Sequence, residues 1–183
     1  MTPVLLLASM LAVFLQDPAP TASTLFAGGT RAQLIIFVTS DCPISNYYAP
    51  EIQAICAAHH TKNLTCSLVY EDAGLDDKQM RAHMAEYGYR NIAAVIDRDR
   101  TIARRAGATV TPQAVLLDRQ GRVRYRGRID DRYEAFGKPR RVVTERNLRD
   151  AVDAVLSGKP VPTPETPALG CYITSPDFGS NPQ

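Results

Sequence analysis

The chain has 183 residues, a formal net charge of +2 and 45% hydrophobic residues, with no tryptophan. That length carries one domain with a sizeable core and little more. The near-balanced charge argues against nonspecific nucleic-acid binding, and no C-x-x-C pair, H-E-x-x-H or phosphate-loop pattern is present.

Val4–Leu15 is apolar apart from Ser9. It is shorter than the roughly 20 residues a membrane span needs. It fits the apolar region of a secretory signal, with small and breaker residues after it from Asp17 to Ser23. Met1-Thr-Pro brings no Lys or Arg, so a buried helix or an uncleaved anchor fits too. Residues 1–22 are expected to be a signal peptide or anchor, 25–158 one domain, and 159–183 an extended tail. The chain is then exported, periplasmic or secreted, with membrane contact only if the first segment is retained.

Residues 20–31 read as a linker with a short strand at most. Leu34–Val38 is an apolar run and reads as a buried strand. A helix follows from Pro43, with Ile44, Tyr48, Ile52 and Ile55 on one stripe and a kink expected at Pro50. Leu64–Tyr70 is the next strand. Asp76 or Asp77 caps a helix carrying Met80, Met84 and Tyr87, and Gly88 stops it. Ala93–Ile96 is a short strand and Thr101–Ala106 a short helix. Gln113–Leu117 and Arg122–Arg128 form a hairpin across Asp118–Gly121. Ile129–Val143 reads as a polar loop. Thr144 caps a last helix with Leu148, Val152, Val155 and Leu156 inward. Pro160–Gln183 lacks periodicity. The order implies an α/β fold, a mixed sheet with helices on both faces.

Cys42 stands where the first strand has ended and a helix begins. Pro43 suits the first helical position, where a missing N–H costs nothing. Free N–H groups and the positive end of the helix dipole favour a thiolate there. A buried, inert cysteine is the plainer reading.

Cys42-Pro-Ile-Ser45, with Pro50 eight positions after Cys42, resembles the active-site turn of the thioredoxin superfamily. Thr111-Pro112 leading into a strand is similar to that superfamily's Thr–cis-proline element. With Asp118-Arg-Gln-Gly121 the pattern looks like the redoxin branch (alkyl hydroperoxide reductase/thiol-specific antioxidant-like). The resemblance implies a thioredoxin-like fold over residues 25–158, Cys42 as nucleophile, and Thr111 and Pro112 facing it as substrate contacts. Two departures bear on chemistry. Ser45 replaces the second cysteine, so no vicinal disulfide forms, and its hydroxyl is free to donate to a Cys42 thiolate. Asp41 stands where thioredoxins carry a tryptophan, and a carboxylate there opposes thiolate formation.

Thr39-x-x-Cys42 resembles the peroxiredoxin spacing, which implies a Thr39 hydroxyl on the cysteine and peroxide. Ile35 occupies the place of the peroxiredoxin proline. A C-x-x-S site needs an outside thiol, a partner protein or a distant cysteine to resolve a mixed disulfide. Cys171, in Leu169-Gly-Cys-Tyr-Ile173, is the distant candidate. Cys56 and Cys66 fit a disulfide or two buried thiols equally.

His59, His60 and His83 raise the question of metal, but solvated helix-end histidines are the commoner case, and no metal site or cofactor is expected. Arg122, Arg124, Arg126 and Arg128 fall at period two on one strand face, a charged sheet edge or a dock for an acidic partner. The function expected is thiol–disulfide oxidoreduction through a mixed disulfide on Cys42, with thiols or disulfides as partners. A thiol peroxidase acting on hydroperoxide, or a noncatalytic copper carrier or binding module, are the alternatives.

Overall fold

A computed structural model describes residues 20–174. The apolar run Val4–Leu15 lies outside the described residues. The elements are α1 (Ala22–Leu25), β1 (Ala32–Val38), α2 (Pro43–His59), β2 (Leu64–Tyr70), α3 (Asp77–Glu86), β3 (Ala93–Ile96), α4 (Thr101–Ala106), β4 (Val110–Thr111), β5 (Gln113–Asp118), β6 (Val123–Gly127), β7 (Tyr133–Ala135), β8 (Lys138–Pro139), α5 (Asn147–Leu156) and β9 (Cys171–Tyr172). The main sheet runs β3-β2-β1-β5-β6. β1 pairs parallel with β2 and antiparallel with β5.

β1 is the central strand and every residue in it is buried. That is why it reads as a continuous apolar run instead of an alternation. Its pleat sends Leu34, Ile36 and Val38 into one core layer with Tyr48, Ile52 and Ile55 of α2 and Leu148 and Val152 of α5. Ile35 and Phe37 enter the opposite layer with Leu25, Ile102 and Ala106. Helices cover both faces, as the element order implied.

Three local readings change. Residues 22–25 form a helix, because Thr21 and Thr24 build a reciprocal capping box (Thr21 N–H to Thr24 Oγ1, 2.8 Å). The segment 129–143 contains the β7–β8 hairpin. The last helix starts at Asn147 with Arg146 at its cap; the Thr144 hydroxyl donates to the buried Asp131 carboxylate instead. The four arginines are all ion-paired: Arg122 and Arg124 to Asp118, Arg126 to Glu165 and Arg128 to Glu145. Three carboxylates thus face the four guanidinium groups and offset most of their charge.

The chain after α5 lies against the domain. Arg126 of β6 receives the N–H of Thr166 (3.1 Å) and donates its own to Pro164 (2.9 Å), so residues 164–166 run along the outer edge of the sheet. The Thr166 hydroxyl is buried against Tyr125 Oη at 2.7 Å. β9 then pairs antiparallel with β4. We call residues 164–174 the strap.

Candidate functional site

The end of β1 and the start of α2 bring Cys42 to the site. Ser40 donates its N–H and hydroxyl to the Asp72 carboxylate (3.0 and 2.7 Å). Asn46 Nδ2 donates to the Ser40 carbonyl (2.9 Å). These bonds hold the turn from the C-terminal end of β2 and from within α2. Cys42 precedes Pro43, the first helical residue, and is 1% exposed.

The Thr111–Pro112 peptide is cis. Its Thr111 carbonyl oxygen lies 3.3 Å from Cys42 Sγ, to which the thiol form can donate. The Thr39 and Thr111 hydroxyls share a hydrogen bond at 3.0 Å. Thr39 therefore turns to Thr111 and not to the sulfur.

The strap supplies the remaining part. Cys171 pairs with Thr111 in the β4–β9 ladder, and its Sγ lies 2.7 Å from Cys42 Sγ. Both are free thiols. A disulfide bond is about 2.05 Å long, so bonding needs less than an ångström of approach. The pair joins positions 129 apart.

No model of a known protein family matches this sequence, and no curated protein sequence does. Among solved structures the chain is similar to a hypothetical protein from Sinorhizobium meliloti 1021, at 29% identity over 79% of this chain and 80% of that one, TM-score 0.70. It is similar to an uncharacterized conserved protein from Geobacillus kaustophilus, at 26% identity over 81% and 79%, TM-score 0.70. A secreted disulfide oxidoreductase of Mycobacterium tuberculosis, homologous to E. coli DsbE, aligns at 19% identity over 76% and 93%, TM-score 0.50. The fold is thioredoxin-like. Cys42 and Cys171 meet where β1, α2 and the cis-proline strand come together in that fold.

The two sulfurs have unlike acidity. Burial pushes Cys42 up, but the Cys171 thiol donating to it, together with the Ser45 N–H and hydroxyl, brings it below the ordinary cysteine value. Burial pushes Cys171 up as well, and its bond to Cys42, the Cys42 charge and Asp41 carry it to about 12. Cys42 is thus the more acidic sulfur of the two, and Cys171 the thiol that donates to it. Asp41 is exposed, and its charge acts on Cys171. The buried Ser45 hydroxyl has no partner at normal hydrogen-bond geometry, so its pull on Cys42 is a loose one.

Cys56 and Cys66 are joined in a disulfide between α2 and β2. The His59 and His83 rings are bonded to partners other than sulfur. His59 bonds Asp153 and the Ile55 carbonyl, and His83 bonds Tyr70 Oη and Asn46 Oδ1. Among the described residues, no three His, Cys, Asp or Glu side chains group as metal ligands do.

Three positioning residues escape a sequence reading. Asp72 and Asn46 act on the Cys42 turn through Ser40, which no spacing rule reveals. Gly170 packs against the cis peptide: a Cβ there would lie 2.0 Å from the Thr111 carbonyl oxygen. Its signal was the Gly-Cys dipeptide in the tail.

Proposed function

We propose that the protein is a thiol–disulfide oxidoreductase whose redox pair is Cys42 and Cys171. The observation that carries this reading is the 2.7 Å contact of the two sulfurs beside the cis Thr111–Pro112 bond. The Cys42 thiolate attacks a disulfide sulfur, forms a mixed disulfide and expels a thiolate. Cys171, once deprotonated, attacks Cys42 Sγ, releases the second substrate thiolate and leaves the protein oxidised as a Cys42–Cys171 disulfide. Run in the opposite direction, the pair takes two electrons from two outside thiols and is itself reduced. Ser45 takes no covalent part; its hydroxyl stabilises the Cys42 thiolate.

Export belongs to the same reading. The Val4–Leu15 run suits a secretory signal, and a disulfide such as Cys56–Cys66 persists in an oxidising compartment. Peroxidase chemistry would use the same sulfurs, but the Thr39 hydroxyl bonded to Thr111 counts for disulfide exchange. Peptide mapping without reductant, after equilibration in a glutathione redox buffer, tests the reading. The expected product is a Cys42–Cys171 linked peptide that forms and vanishes with the buffer potential. Its absence across the whole range of potentials sinks the reading. Turnover of hydroperoxide at the expense of a thiol would put peroxidase chemistry first, and copper retention that depends on Cys42 would put the carrier reading first.

A further inference from the structure

The edge of β4 carries the Thr111 backbone beside the cis-proline, the place where an extended chain could pair and present a sulfur to Cys42. The strap already fills it. β9 forms the antiparallel ladder with Val110 and Thr111, and the Ile173 N–H donates to the Thr109 carbonyl at 2.9 Å. Beyond it Arg100 Nε reaches the Thr174 carbonyl at 3.3 Å. Gly170 lies flush on the Thr111 carbonyl, so the seat admits no side chain at that position. On the near side the buried Thr166 fixes the strap to Tyr125. The segment is held on both sides of Cys171.

Exposure differs between the two sulfurs' residues. Cys42 is 1% exposed under the strap, whereas Cys171 is half-buried with Tyr172 next to it 79% exposed. Because the sulfurs already touch, closing the disulfide leaves the strap in place, and this exposure pattern applies to the oxidised protein.

We propose that the strap is an internal substrate strand, so that Cys171 and not Cys42 is the sulfur that exchanges with outside thiols, and that these are low-molecular-mass thiols able to reach it without lifting the strap. This rests on the Cys42–Cys171 redox pair proposed above. An outside thiolate attacks Cys171 Sγ of the oxidised protein. The Cys42–Cys171 bond breaks, a mixed disulfide forms on Cys171, and Cys42 leaves with the electron pair as a thiolate. A second outside thiolate attacks the outer sulfur of that mixed disulfide. The small-molecule disulfide departs, and Cys171 leaves as a thiolate and takes a proton. Two thiols are oxidised and one protein disulfide is reduced. The greater acidity of Cys42 supports this direction, since the more acidic thiol is the better leaving group. An extended polypeptide disulfide has no edge to pair with while the strap is seated.

The test is to treat the oxidised full-length protein with less than one equivalent of glutathione, quench with acid within seconds, alkylate and map the adduct. The expected result is a majority of glutathione on Cys171. Adduct on Cys42 in equal or greater amount overturns the proposal. Gly170→Ala drives the strap from the Thr111 carbonyl and should move the majority to Cys42; an unchanged distribution in the folded variant also overturns it. The mapping of the unaltered protein decides the matter by itself if that variant does not fold. The starting material separates the two readings. Absence of the Cys42–Cys171 link removes the redox pair itself, while its presence followed by adduct on Cys42 removes only the strap's role.

Discussion

Cys56 and Cys66 are joined across ten positions of sequence; Cys42 and Cys171 meet from 129 positions apart. The first pair ties the body of α2 to the neighbouring β2 and is surrounded by the core. Neither sulfur lies at a helix entry or beside a polar backbone kink. The second pair lies at the entry of α2, against a cis peptide, with a spare serine hydroxyl and two unlike acidities. Two cysteine pairs thus stand in different settings. Local packing makes one a staple. For the other, the fold brings together a more acidic sulfur and a less acidic partner from distant parts of the sequence.

The sharpest way to break this comparison is to remove one sulfur from each pair. Cys42→Ser should lower turnover of a model disulfide by roughly a thousandfold or more, as loss of a reacting nucleophile does. Its urea midpoint should stay close to that of the parent. A large stability loss with activity retained would exchange the roles of the pairs. The double variant Cys56→Ala/Cys66→Ala should do the opposite. Removing a short-loop disulfide costs about 3 kcal/mol, read in a urea melt, while the Cys42 alkylation rate of the folded fraction stays the same.

Glu71 sharpens the contrast between burial alone and burial with donors. It is 3% exposed at the end of β2, where burial first and the Asp97 charge next push its carboxyl up to about 8, against the pull of Arg100 3.1 Å away. The folded protein then holds a proton that the unfolded chain has released. The stability this contributes is fully present below the ordinary glutamate value and is lost as pH rises toward about 8. Glu71→Gln should flatten that fall when urea midpoints are compared between mildly acid and mildly alkaline buffer. A fall that persists unchanged would remove Glu71 as its source. At Cys42 burial is outweighed, so the sign reverses: alkylation should have its midpoint below the free-cysteine value of about 8.5. Ser45→Ala should raise that midpoint modestly without moving the melt. No change at all would leave the thiolate to Cys171 alone.

Much of this was legible in the chain because it rests on local chemistry. Leu34–Val38 announces a strand buried on both faces. Pro43 marks the helix entry that makes Cys42 distinctive, and Thr111-Pro112 has a restricted peptide whatever surrounds it. The strap was not legible, since its two strand residues owe their form to partners sixty positions away. A Pro-rich stretch without periodicity gives no sign that Thr166 is buried or that Gly170 meets a carbonyl. Thr144 was a plausible cap by type, but Asp131, brought near by the fold, is the better acceptor for its hydroxyl. With four cysteines the pairing itself depends on which sulfurs the fold brings within reach.

The outer strand β6 has one further consequence. An uncovered outer strand is a template on which a second chain can add. Here the backbone groups of Arg126 are spent on Pro164 and Thr166, and its guanidinium grips Glu165 at 3.0 Å. The same segment that brings a cysteine to the site also shields the sheet from self-association. Any displacement reaching back to Pro164 would therefore uncover a sticky margin together with the reactive sulfur, and solubility would fall as access rose.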